Sequence, residues 1–273
     1  MLDPKKKLTQ VDSSDTKYLV YTKATYYRDF VRIWIPNQPY IRQRNGYEGS
    51  AKGIKVRQQN AGDDPYETNA ERSIRRTRKA IKDCVNQNDF DLFATFTFAN
   101  DRHNAERSRK RLATWLKNQR TRNGKFRYIV VPEHHKDGAL HFHALLGNYT
   151  GKLKLAINPR TGKKIADGRG NYVRNFTEYT LGINSAKVID GDASKTKTAY
   201  YLQKYITKET LNEFGKNRYW VSHGLTKPTV EENPEPFYQH FEADRHWVID
   251  HGTVLEFDRY KHSLIDMFIE AHE

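Results

Sequence analysis

Short runs of alternating apolar and polar residues dominate the chain, and stretches with helical spacing interrupt them in a few places. Tyr18-Leu-Val-Tyr21 and Phe30-Val-Arg-Ile-Trp-Ile35 are β-branched and aromatic, a composition that suits a pleated, half-buried surface, and they predict strands. The polar residues before them, 1–16, predict a frayed end, and the basic, weakly patterned stretch from Tyr40 to Asn60 predicts a loop. Asp63, Asp64 and Pro65 supply helix-start chemistry, and Ile74, Ile81, Cys84 and Val85 follow at helical spacing, so a helix is expected over about 66–86. Its cations, Arg72, Arg75, Arg76, Arg78, Lys79 and Lys82, read equally as a solvated face or as one that meets phosphates.

From Asp91 to Ala99 the chain sets Phe93, Thr95 and Thr97 on one side of a strand and Ala94, Phe96 and Phe98 on the other. A helix is expected from Asn100 to about Gln119, burying Leu112, Trp115 and Leu116. Phe126–Val131 and Leu140–Leu146 read as antiparallel strands joined across a turn at Lys136–Ala139. The Lys-, Gly- and Asn-rich segment 147–170 reads as an exposed flap. Tyr179 to Asn184 and Ala186 to Ile189 read as a strand pair, and a helix is expected from about Ala193 to Lys208. Pro228, Pro234 and Pro236 suggest a linker, with enough apolar residues beyond it to fold, the last of them, Leu264, Ile265, Phe268 and Ile269, at helical spacing. Strands and helices in this order predict an α+β fold: a central antiparallel sheet with helices packed on it. Three segments are expected: an N-terminal basic extension 1–87, a catalytic domain 88–226 and an acidic C-terminal extension 227–273.

Charge narrows the class of partner. The 273 residues carry a formal charge of +14, and 12% of them are aromatic. Residues 101–127 hold ten Lys/Arg against two acids, whereas 231–273 hold three against eleven. A basic body favours a polyanion, and the aromatic content suits stacking on unpaired bases. The acidic end is expected to be a structural appendage, to pack on the basic body and compete with DNA, or to present a helix to a host protein or a second copy. Cys84 is the only cysteine, which excludes an intrachain disulfide and a thiolate zinc site. No apolar run approaches the roughly 20 residues that span a bilayer, so no membrane is expected and the cytoplasm is the expected compartment. Gly162, Lys163 and Lys164 lack the upstream glycine spacing of a phosphate-binding loop, so no helicase function is expected.

The chemistry concentrates in Val131-Pro-Glu-His-His-Lys-Asp-Gly-Ala-Leu-His-Phe-His-Ala-Leu-Leu146. His141 and His143 stand two apart on a strand and leave the same face, so both imidazoles can meet one divalent cation, with Glu133 as a third, oxygen ligand. Nitrogen and oxygen donors without thiolate suit Mn²⁺ or Mg²⁺. About sixty residues on, Tyr201-Leu-Gln-Lys-Tyr-Ile-Thr-Lys208 sets two tyrosines four apart on one helix face, with Lys204 and Lys208 beside them. Tyrosines near a metal with open positions form a constellation for phosphoryl transfer.

These motifs resemble, in order, those of an HUH endonuclease of the rolling-circle replication initiator (Rep) type with paired tyrosines. Phe93-Ala-Thr-Phe-Thr-Phe98 is similar to the first motif, Glu133 with His141-Phe-His143 to the second, and Tyr201 to Lys208 to the third; Gly215 to Leu225 is similar to the segment that follows. The likeness covers about 88–226. It implies an HUH-like, roughly five-stranded sheet with the metal site on its central strands. It also implies a phage or plasmid protein that nicks single-stranded origin DNA, leaves a 5′-phosphotyrosine and a free 3′-hydroxyl, and rejoins the strand. The implied catalytic residues are Tyr201, Tyr205, Lys204 and Lys208; the implied metal ligands are Glu133, His141 and His143. Arg107, Arg109, Lys110 and Arg111 in the basic cluster, with Lys154, Arg160, Lys163, Lys164 and Arg169 in the flap, are candidates for tracking DNA. The expected partners are single-stranded or hairpin origin DNA and a host replication helicase or polymerase. A relaxase or transposase of the same superfamily is one alternative. A non-catalytic single-strand binder that stacks bases on Phe93, Phe96 and Phe98 is the other.

Overall fold

A computed structural model describes residues 17–43, 68–135, 137–168, 170–189, 201–205, 219–234, 237–239 and 241–262. In chain order the strands are β1 (Lys17–Val20), β2 (Lys23–Tyr26), β3 (Phe30–Pro36), β4 (Tyr40–Gln43), β5 (Leu92–Phe96), β6 (Arg127–His134), β7 (Leu140–Gly147) and β8 (Leu153–Leu155). They continue with β9 (Arg174–Phe176), β10 (Asn184–Val188), β11 (Trp220–Val221), β12 (Thr229–Glu232), β13 (Arg245–Ile249) and β14 (Gly252–Asp258). Helix α1 (Asn69–Gln87) precedes β5 and α2 (Ala105–Asn123) precedes β6. The fold is α+β with antiparallel sheets, as expected. It divides into two compact units, Tyr66–Pro228 and a second made of Met1–Pro65 with Thr229–Glu273.

The unit Tyr66–Pro228 is built on a seven-stranded sheet in the order β11-β6-β7-β5-β10-β9-β8. Alternation sends successive side chains of each strand to opposite faces, and both faces are covered. On one face Leu112, Trp115 and Leu116 of α2 pack on Ala94, Phe96, Val130, Phe142 and Ala144. On the other, Ile74, Ile81 and Val85 of α1 join Ile129, Val131, Leu145 and Leu202. Burying a side chain such as Phe96 or Phe142 contributes about 1.5–3 kcal/mol.

Local chemistry explains where both helices begin and end. Thr68 and Glu71 form a reciprocal capping box at the start of α1, later than the Asp63–Pro65 start expected from sequence, which lies outside the described residues. At its end the Asn88 amide donates to the Cys84 carbonyl and to the Thr226 carbonyl, while Thr226 N–H donates back to Asn88 Oδ1 at 3.0 Å. Helix α2 starts at Asn104, whose side chain accepts from Arg107 N–H, and stops at Gly124, where φ is 82°. The expected start at Asn100 is therefore four residues early.

Several expectations change. The sheet has seven strands rather than about five, because β8 from the flap and β9, which follows the flap, extend one edge and Trp220–Val221 extends the other. Residues 179–183 form no strand: Tyr179 turns inward, packs on Phe96 and Trp115, and donates its hydroxyl to the Thr97 carbonyl at 2.7 Å. Part of the expected loop after Tyr40 is β4, which pairs with β1.

In the other unit strands that precede α1 and strands that follow Pro228 meet in one five-stranded sheet, β12-β2-β3-β14-β13. The segment after Pro228, expected as a linker, is therefore strand β12, and the expected terminal extensions share one core of Ala24, Val31, Ile33 and Phe257. Many acids of the C-terminal segment are used inside this unit. Glu231 accepts from the Tyr26 hydroxyl and Glu232 from Tyr18 and Arg42. Glu256, nearly buried, is held by Arg32 at 2.5 Å and by Arg245 at 3.2 Å, the pairing that a buried carboxylate requires.

Candidate active site

Strand register builds the site. Glu133 on β6 stands directly across from His141 on β7, and His143 stands across from Val131 on one side and Thr95 of β5 on the other. Facing residues on paired strands share a sheet face, so Glu133, His141, His143 and Thr95 all leave the face that also carries α1. Gly138, with φ of 80°, makes the turn that returns β7 alongside β6.

His143 is the hub. It is 6% exposed, its Nε2 lies 2.6 Å from Glu133 Oε2, and its Nδ1 lies 3.2 Å from Thr95 Oγ1. The Tyr205 ring stacks on the imidazole with centroids 3.9 Å apart and planes 8° apart. Tyr201 meets Tyr205 edge-on at 5.3 Å and meets Phe93 at 5.3 Å, and the Lys204 ammonium lies 5.4 Å from the Tyr201 ring. Residues 201–203 are helical and 204–205 form a turn. Tyr201 is exposed, whereas Tyr205 is half-buried.

Electrostatics follow from this burial. Desolvation holds the His143 pKa below the ordinary histidine value despite the opposing pull of Glu133, and desolvation lowers that of His141 too, with His135 adding to the effect. Both are neutral imidazoles at pH 7, the form that ligates metal. Burial, and then the hydrogen bond and charge of Tyr201, hold the Tyr205 hydroxyl well above the usual tyrosine range. Tyr205 therefore needs a change of surroundings before it ionises.

Glu133 and His143 are joined directly. His141 instead stacks on His135 at 5.1 Å, and His135 pairs with Asp137 at 3.3 Å. Among the described residues no three His, Cys, Asp or Glu side chains converge closely enough to hold a metal ion. The donor set still fits a divalent ion in chemistry and in face: two neutral imidazoles and one carboxylate on adjacent strands, with the Glu133–His143 contact as the interaction that an ion would replace.

The basic candidates separate. Arg107, Arg109, Lys110 and Arg111 lie on α2, across the sheet from His143. Arg107 and Arg111 pair with Asp101, Lys110 pairs with Glu106, and Arg109 lies over Trp220. In the flap, Lys154 is on β8, and Arg160, Lys163 and Lys164 lie in an ordered turn closed by Asn158; the Lys164 ammonium sits 5.4 Å from the exposed Tyr172 ring. Lys208 and Arg169 lie outside the described residues. The Thr95 hydroxyl at His143 and the stack of His135 on His141 leave no signal in the sequence, because both depend on which strands pair and on the turn that brings β6 and β7 together.

The fold and site define a class: an α+β domain that sets a tyrosine pair against a His–Glu pair on an antiparallel sheet. Residues 91–210 match the family model described as replication-associated protein of the ORF2 kind, which supports a replication-initiator family. No curated protein and no solved structure matches the chain. No helix among the described residues is long and apolar enough to cross a membrane.

Proposed function

We propose that this chain initiates rolling-circle replication by nicking single-stranded origin DNA through a tyrosine and later rejoining the strand. The observation that carries the reading is the packing of Tyr205 on His143, with Tyr201 exposed beside it and Lys204 alongside. Two potential nucleophiles therefore stand at one sheet face with neutral histidines.

A divalent ion, Mn²⁺ or Mg²⁺, held by Glu133, His141 and His143 would neutralise phosphate charge and orient the phosphorus for in-line attack. Tyr201, the more accessible of the two, acts first. Its oxygen bonds to phosphorus as the bond from phosphorus to the 3′ oxygen breaks; the phenolic proton is lost and the 3′ oxygen takes up a proton. The products are a 5′-phosphotyrosine and a free 3′-hydroxyl, which primes a polymerase. Because the phosphodiester energy is kept in the protein–DNA bond, rejoining by attack of a 3′-hydroxyl needs no nucleotide cofactor. Lys204 supplies positive charge next to the Tyr201 ring, and Lys208 is the second candidate for that role. Tyr205 is held in reserve for the transfer that ends a cycle.

The test is nicking of circular single-stranded origin DNA with Mn²⁺, with and without a chelator, by the wild type, Tyr201→Phe and Tyr205→Phe. The expected result is chelator-sensitive nicking in which Tyr201→Phe loses the first cut more severely than Tyr205→Phe. Tight binding without any cut would favour a single-strand binding protein.

A further inference from the structure

We infer that Phe93 is a positioning residue for the first strand cut: its ring holds the Tyr201 side chain in place beside His143 and so sets the rate of attack. This rests on the reading of the chain as a DNA-nicking initiator.

The first ground is where the ring stands. Phe93, Phe96 and Phe98 share one short segment, but Phe96 and Phe98 are buried in the cluster that α2 covers. Phe93 has the opposite parity and leaves the face of Thr95 and His143. It is half-buried there. Its backbone is held from both sides, opposite Leu145 of β7 and opposite Lys187 of β10.

The second ground is what the ring touches. Phe93 meets His143 with centroids 5.8 Å apart and planes 20° apart, and it meets Tyr201 edge-on at 5.3 Å. One strand residue thus contacts both a candidate metal ligand and the more accessible nucleophile. The two tyrosines are seated differently. Tyr205 lies flat on His143 at 3.9 Å, whereas Tyr201 approaches that imidazole edge-on at 6.3 Å. Tyr201 is 42% exposed, and its covered side rests on Phe93 and Tyr205. Edge-to-face rings hold a preferred geometry that an aliphatic side chain does not reproduce. Without the Phe93 ring, Tyr201 loses one wall of its seat while the stack of Tyr205 on His143 remains. Misplacing a reacting group by about 1 Å costs about 100-fold in rate.

The test is the rate of tyrosine–DNA adduct formation by the full chain in a single turnover with Mn²⁺. A concentration series of origin-containing single-stranded DNA separates the limiting rate from half-saturation. Phe93→Leu should lower the limiting rate by about 10- to 100-fold. Half-saturation by DNA, and Mn²⁺ affinity by calorimetry, should stay within about twofold of the wild type. Phe93→Tyr keeps the ring and should retain the rate within about threefold, with the adduct on the peptide bearing Tyr201. Phe93→Met, close in volume but without a ring, repeats the measurement if Phe93→Leu does not fold. Unfolding midpoints of all variants are measured in parallel. A limiting rate within about twofold of the wild type in the ringless variants overturns the inference while the wild type still forms its adduct. So does a fall as large in Phe93→Tyr, or a fall matched by lost Mn²⁺ binding. A wild-type chain that forms no adduct overturns the underlying reading, and the inference with it.

Discussion

Replacing Thr95 with Val removes one hydroxyl and keeps the side-chain shape. The Thr95 hydroxyl lies 3.2 Å from Nδ1 of His143, whose ring is almost entirely buried, and Glu133 lies 2.6 Å from Nε2. As the pair stands, Nε2 carries the proton toward Glu133, and Thr95 donates to Nδ1. If Nε2 instead ligates a cation, the proton must sit on Nδ1 and Thr95 must accept it. A hydroxyl can do both; a methyl can do neither. Without the cation the lost bond is between neutral groups, worth about 0.5–1.5 kcal/mol, whereas a bond from a cation-bound imidazole belongs to the charged class at about 1.5–3 kcal/mol. The difference, about 1–1.5 kcal/mol, is about a 5- to 10-fold loss of metal affinity. Calorimetric titration of the full chain with Mn²⁺ measures it directly. Thr95→Ser should bind within about twofold of the wild type, since about 1.4 kcal/mol is needed for a factor of ten. Wild-type affinity in Thr95→Val, or an equal loss in Thr95→Ser, would refute the argument.

Two further outcomes test the packing. Phe142, fully buried between Phe98 and Trp220, should cost about 3–5 kcal/mol of stability on truncation to Ala, seen as an earlier denaturant midpoint; a loss under about 1 kcal/mol would mean that this side of the sheet is not the core. Burial raises the Cys84 thiol from an ordinary 9.0 to about 12. A raised folded-state value favours the neutral thiol, so this contribution to stability is complete below pH 9.0 and falls as pH climbs toward about 12. Native Cys84 should resist alkylation at about pH 8.5, near the ordinary thiol range, and react once the chain is unfolded; rapid native labelling would contradict its placement.

The central sheet was legible because its strands announce themselves twice, by β-composition and by alternation. Glu133, His141 and His143 follow from the same alternation, since the face of a strand residue is fixed by parity. What the sequence concealed depends on long-range pairing. Nothing near Pro228 signals that Thr229–Glu232 will pair with Lys23–Tyr26, at the far end of the chain, because prolines end one element without naming the next. Tyr179 has the composition of a strand residue, but its ring fills a gap beside Phe96 and its hydroxyl satisfies the Thr97 carbonyl, a tertiary demand that outweighs local preference. The basic helices looked alike in sequence. Only the packing of their apolar stripes on opposite faces of one sheet tells them apart.

The most direct measurement is mass spectrometry of the chain after reaction with single-stranded origin DNA and Mn²⁺, followed by nuclease trimming. A nucleotide remnant on the peptide bearing Tyr201 and Tyr205, absent from the Tyr201→Phe/Tyr205→Phe double variant that still binds Mn²⁺, is the expected result. Cleaved DNA with no covalent remnant, or an adduct that persists in the double variant, would contradict the assignment of these tyrosines as the nucleophiles.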